Sequence, residues 1–113
     1  MADLLCYAQV KPVCNEIELN PTLTQVELCR FMKAESILPI AYCPVSRLGS
    51  RSNEHLETEG FRSICERHGK SQAQIMLNWA VVRGTVPIPK SGSLNHIVEN
   101  IQVFDFKLSD EEM

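Results

Sequence analysis

Ile88-Pro89-Lys90-Ser91-Gly92-Ser93-Leu94-Asn95-His96-Ile97-Val98-Glu99-Asn100 is the stretch that decides the fold. Thr85–Pro89 ahead of and into it reads as a short strand, and Ser93 can cap a helix that buries Leu94, Ile97, Val98 and Ile101. The strand thus delivers Lys90 and Ser91 at its C-terminal end, roughly three residues before a helix begins. Exposed N–H groups at a helix start, beside an ammonium and hydroxyls, form an anion site with phosphate as natural guest. A lysine after a strand is also commonly just solvated, and the residues alone leave that alternative open.

Working outward, the same rhythm recurs. Met1 to Gln9 reads as a short helix stopped by Pro12. Val13–Leu19 then alternates as a strand, closed by Asn20-Pro21. Thr22-x-x-Gln25 predicts a capping box, opening a helix whose face carries Leu28, Phe31 and Met32. Leu38–Tyr42 is a nearly all-apolar strand, expected to be covered on both sides, and Pro44 stops it. Residues 46–57 read as a long polar surface loop. Phe61, Ile64, Cys65 and His68 mark a helix face, with Gly69 just past its end. Ser71-x-x-Gln74 caps another helix carrying Ala73, Met76, Leu77 and Ala80, ended by Gly84. Ser109-Asp110-Glu111-Glu112 has the signature of one more helix start, with Met113 one turn in, so the chain reads as cut there.

Strands alternating with helices imply parallel pairing through right-handed crossovers, and a parallel sheet needs both faces covered. Three such units cover one face and leave the other open. The expectation is an α/β fold of which only part is present.

The chain has 113 residues, 44% hydrophobic and 22% charged, with net charge −3. No global field draws it to nucleic acid or anionic lipid. No apolar run approaches the roughly 18–20 residues that cross a bilayer. Five cysteines without a C-x-x-C pair read as free buried thiols of a cytoplasmic protein rather than a disulfide framework. No Ser/His/Asp set, metal-ligand spacing or glycine-rich phosphate loop occurs. Nothing in the sequence fixes an oligomeric state.

Three stretches resemble the aldo-keto reductase family. IPKS at residues 88–91, with Ile97 and Glu99-Asn100, followed by FDFKLS at 104–109, is close to that family's nucleotide-binding signature. KPVCNEIELNP at 11–21 and ILPIAYCPVSRLGS at 37–50 resemble its sixth- and seventh-strand segments, so the likeness runs from about Leu4 to Met113. It implies a (β/α)8 barrel with NADP(H) across the C-terminal strand ends, of which this chain, residues 1–113, supplies about three βα units. A whole barrel takes about 250 residues.

Carried over by position, Tyr42 matches the tyrosine that stacks on nicotinamide; otherwise it is a strand-end aromatic that packs. Lys90, Ser91 and Ser93 match groups around the 2′-phosphate of the adenosine ribose. Glu99 and Asn100 match the pair that contacts adenine, with a helix C-cap as the structural alternative for Asn100. His96 stands where the family usually has Arg, and imidazole cannot reproduce a guanidinium fork, so NADP(H) preference over NAD(H) should weaken. Glu16 replaces the usual Gln at the nicotinamide amide, where a carboxylate accepts but cannot donate. Asn20 replaces a common His, and Cys43 a common Ser near the pyrophosphate.

The resemblance also implies a catalytic Asp, Tyr, Lys and His on earlier strands, upstream of the matched region. Tyr7 and Tyr42 do not occupy the acid's position, and His55 and His68 offer no substitute. The implied function is part of an NADP(H)-dependent reductase of small aldehydes and ketones, inactive alone. The alternatives are a non-catalytic nucleotide-binding or interaction module, or a regulatory relative of the same family.

Overall fold

The computed structural model describes residues 1–46 and 58–113. The order is α1 (Ala2–Tyr7), β1 (Cys14–Glu18), α2 (Val26–Ala34), β2 (Leu38–Tyr42), α3 (Glu59–His68), α4 (Gln72–Val82), β3 (Val86–Pro87) and α5 (Leu94–Ile101). The loop expected over 46–57 lies, from residue 47 on, outside the described residues, as does His55.

The strands pair in parallel in the order β1-β2-β3, with Glu18 opposite Tyr42 and Ala41 opposite Pro87. Side chains alternate between the faces of a sheet. Ile17, Leu19 and Ala41 therefore meet the helices, packing with Met32, Ile37, Ile75, Trp79, Ala80 and Leu108 into the core. Glu16, Glu18, Leu38, Tyr42 and Val86 share the opposite face, where Leu38, Tyr42 and Val86 are exposed. The expectation that β2 is covered on both sides is thus corrected: helices cover one face of the described sheet.

Helix α4 carries the fold. Residues from Gln74 to Ala80 are all buried, as befits a helix that is apolar nearly all round. Its two buried amides, Gln74 and Asn78, stand one turn apart and must be satisfied. Asn78 Nδ2 donates to the carbonyls of Val103 (2.8 Å) and Phe106 (3.0 Å), and its Oδ1 accepts from the Leu108 N–H (3.3 Å). The capping box at Ser71 and Gln74 is complete on both sides. Gly69 closes α3 at φ +61°, with the Lys70 N–H returning to the Cys65 carbonyl at 3.0 Å, a left-handed turn that glycine adopts without a Cβ penalty.

Four expectations change. Thr22 does not cap α2. The amide Oδ1 of buried Asn20 instead accepts from the Thr22 hydroxyl (2.7 Å), the Thr22 N–H (3.0 Å) and the Leu23 N–H (3.1 Å), so Gln25 in a left-handed conformation precedes the helix. The third strand is only Val86–Pro87, because proline has no N–H for a ladder. Leu94, Ile97, Val98 and Ile101 are not buried; they are 47–74% exposed. Ile97, Val98 and Ile101 line an apolar groove of about 730 Å³ between α4, β3 and α5 that no described element fills. The five thiols are free, but Cys6, Cys14 and Cys43 are exposed and none is fully buried, because they fall on the outer helix face, the open sheet face and a strand end.

The expected helix start at Ser109 is one turn, and it docks on α3. The Glu112 carboxylate, 6% exposed, accepts from the Ser109 N–H at 2.9 Å and Arg67 Nη1 at 2.7 Å, and lies 3.1 Å from His68 Nε2. The Ser109 amide, and then His68, lower its pKa from 4.5 to about 2. A depressed carboxylate contributes stability in full above its unfolded value and loses it as pH falls through its folded value. Thermal melts of Glu112→Gln should show a lower Tm at pH 7 and a flatter acid dependence between pH 4.5 and 2. A variant that retains the wild-type acid profile contradicts this role.

Candidate functional site

Parallel strands put every strand's carboxyl end, and the start of each following helix, on one edge of the sheet. That edge gathers the sequence-predicted residues into two groups. Lys90 and Ser91 after β3, and His96, Glu99 and Asn100 on α5, line one cavity of about 500 Å³. Val45 and Ser46 after β2, and Ser71, Gln72 and Ala73 at the start of α4, complete its wall.

The cavity favours an anion at the Lys90 end. No side chain caps α5, so its positive end stays available. The Ser91 hydroxyl bridges the Ser93 N–H (3.1 Å) and the Ser93 carbonyl (3.2 Å), fixing the turn between β3 and α5. Among the described residues Lys90 has no ion pair. Glu99 marks the other end, where its Oε2 lies 3.5 Å from the Ser71 hydroxyl. One pole is cationic and the other an acceptor, which fits a phosphorylated molecule that also carries an N–H donor.

Glu16, Tyr42 and Cys43 form the second group. Glu16 and Tyr42 lie on the uncovered face, Glu16 two residues before Glu18, the partner of Tyr42. Cys43 turns the chain at φ +47°. Its carbonyl accepts from the Ser46 N–H (2.9 Å) and from Asn20 Nδ2 (3.4 Å). Asn20 therefore ties the ends of β1 and β2 together. Ser93 does not line the cavity; its backbone is engaged by Ser91. The C-cap of α5 is Gln102, not Asn100.

Sequence reading missed Val45, Ser46, Ser71, Gln72 and Ala73 as cavity residues. Ser71 carried a usable signal: its capping box marks a helix start, and parallel topology sends helix starts to this edge. The turn after Pro44 carried none.

A parallel α/β sheet with an anion-receptive cavity outside the carboxyl ends of its strands is the arrangement of proteins that hold phosphorylated ligands there. The chain belongs to the aldo/keto reductase family, whose profile it matches over residues 1–113. It is 40% identical to aldose reductase B of Dictyostelium discoideum over 113 residues, all of this chain and 35% of that protein. An aldo/keto reductase from Brucella melitensis superposes with a TM-score of 0.85 at 38% identity, over 98% of this chain and 40% of that one. A silkworm aldo-keto reductase complexed with NADPH superposes at 0.89 with 32% identity, over 99% and 36%. The chain therefore spans well under half the length of these relatives. No helix among the described residues is long and apolar enough to cross a membrane.

Removing the ammonium isolates its share of anion binding. Lys90→Met should weaken binding of a phosphate monoester about 10- to 100-fold, the range of a charged hydrogen bond. Calorimetric titration with 2′-AMP checks this, and unchanged affinity places the anion elsewhere.

Proposed function

We propose that this chain, residues 1–113, is the NADP(H)-gripping part of an aldehyde or ketone reductase that works as a complete (β/α)8 barrel. The observation that carries the reading is the cavity that unites Lys90, Ser91, His96, Glu99 and Asn100 at the β3–α5 junction. Family membership and the NADPH-bound relative support the choice of nucleotide.

The residues present fit that group. Lys90 and the uncapped start of α5 would hold the 2′-phosphate, with Ser91 shaping the turn that presents them. His96 stands on the same wall. Glu99 and Asn100 would receive the adenine, Glu99 by accepting from its exocyclic amine. Tyr42 would offer its ring to the nicotinamide across the open sheet face, with Glu16 accepting from the carboxamide NH2. Cys43 would stand near the pyrophosphate. Bound NADPH supplies the hydride that reduces a carbonyl.

Reduction also needs a proton donor aimed at the carbonyl oxygen. Neither tyrosine here is so placed, and the family's catalytic Asp, Tyr, Lys and His would come from the remainder of the barrel. The small-molecule carbonyl substrate belongs to that complete protein, which we place in the cytoplasm. This chain alone should bind NADPH and consume none with an aldehyde present. Steady oxidation followed at the nicotinamide absorbance would overturn the division of labour.

The imidazole at 96 sets how well the cavity separates NADPH from NADH. His96→Arg adds a permanent charge and a planar pair of donors. Its NADPH affinity should rise about tenfold, with NADH affinity nearly unchanged. Parallel titrations of both nucleotides check it, and equal effects on the two remove His96 from the phosphate end.

A further inference from the structure

We propose that Gln74, a buried side chain outside the cavity lining, is the positioning residue that sets where Glu99 and Asn100 stand in the nucleotide cavity. The proposal rests on the reading of that cavity given above.

Gln74 is 6% exposed and all three arms of its amide are used. Its Oε1 accepts from the Ser71 N–H at 3.0 Å. Its Nε2 donates to the carbonyls of Glu99 at 3.2 Å and Gln102 at 3.1 Å. Glu99 is in the last turn of α5 and Gln102 is its C-cap. The last carbonyls of a helix lack the usual partner four residues on. Here the Glu99 carbonyl accepts from the Gln102 N–H at 3.0 Å and the Gln102 carbonyl from Lys70 Nζ at 3.4 Å, and one side chain from α4 donates to both. The Ser71 hydroxyl accepts from the Gln74 N–H at 3.3 Å and stands 3.5 Å from Glu99 Oε2. A single amide thus connects the two walls of the cavity, the start of α4 and the end of α5.

The connection is directional. The oxygen must face Ser71 and the nitrogen must face α5, since the partners are one donor and two acceptors. Lys90 and Ser91 hang from β3 and are not in this network. Gln74 therefore governs the Glu99–Asn100 end alone. Asn78, one turn on, uses the same chemistry on Val103, Phe106 and Leu108, away from the cavity.

Gln74→Glu tests this with little change of shape. A carboxylate can still accept from Ser71, and a negative charge is favourable at the start of α4. It cannot donate to the α5 carbonyls, and it repels them. Two probes separate the ends of the cavity: NADPH by calorimetry, and inorganic phosphate by the amide shifts of residues 91–96. Asn78→Asp serves as the stability control, measured at a temperature where helicity by circular dichroism is full.

The expected result is NADPH binding weaker by about tenfold or more in Gln74→Glu. Phosphate binding should stay within about twofold, and Asn78→Asp should lower Tm with NADPH affinity near wild type. Wild-type NADPH affinity in Gln74→Glu overturns the proposal, and so does a parallel loss of both probes in both variants. A wild-type chain that binds phosphate but not NADPH, or neither, overturns the cofactor reading and this role with it.

Discussion

Parallel register is the constraint on which the rest of the structure depends. Once β1, β2 and β3 run the same way, with Glu18 beside Tyr42 and Ala41 beside Pro87, their carboxyl ends share one edge. The chain after β2 and after β3 must emerge there, and the helices that return along the sheet must begin there. Residues as distant in sequence as Ser46, Ser71 and Lys90 become neighbours around one cavity for that reason. An antiparallel arrangement would send Lys90 and Tyr42 to opposite edges.

The edge is held by polar groups inside the core. Asn20 binds the turn after β1 to the carbonyl of Cys43 after β2. Gln74 and Asn78 bind α4 to the end of α5 and the segment that follows it. Each would be costly if left unpaired, and each has its partners. Apolar packing is less evenly spread. The helix-side core is closed, while the opposite sheet face and the outer stripe of α5 stay exposed. That asymmetry is the physical counterpart of a chain that covers little more than a third of its relatives.

Much of this was legible in the sequence, and for identifiable reasons. The Val13–Leu19 alternation, the Leu38–Tyr42 run and the capping box at Ser71 are local signals, and the elements form as they require. Gly69 and Gly84 end their helices with positive φ. The failures are equally local. Thr22 matches a capping pattern, yet the Asn20 side chain takes its hydroxyl and shifts the helix start to Val26. The spacing of Leu94, Ile97, Val98 and Ile101 marks an apolar face correctly but cannot supply what that face packs against. At the cavity, Lys90, Ser91, His96, Glu99 and Asn100 were legible because they lie within one continuous motif. Ser46 and the wall from α4 arrive from other segments, and the role of Gln74 depends on two carbonyls that no side-chain pattern encodes.

The account stands or falls on where an anion rests. Backbone amide shifts of the isotopically labelled chain, titrated with 2′,5′-ADP and separately with adenosine, measure that directly. The account predicts saturable shifts with 2′,5′-ADP concentrated at residues 91–96 and 99–100, with the adenosine response confined to the latter. Shifts that avoid the β3–α5 junction, or equal responses to the two ligands there, would contradict it.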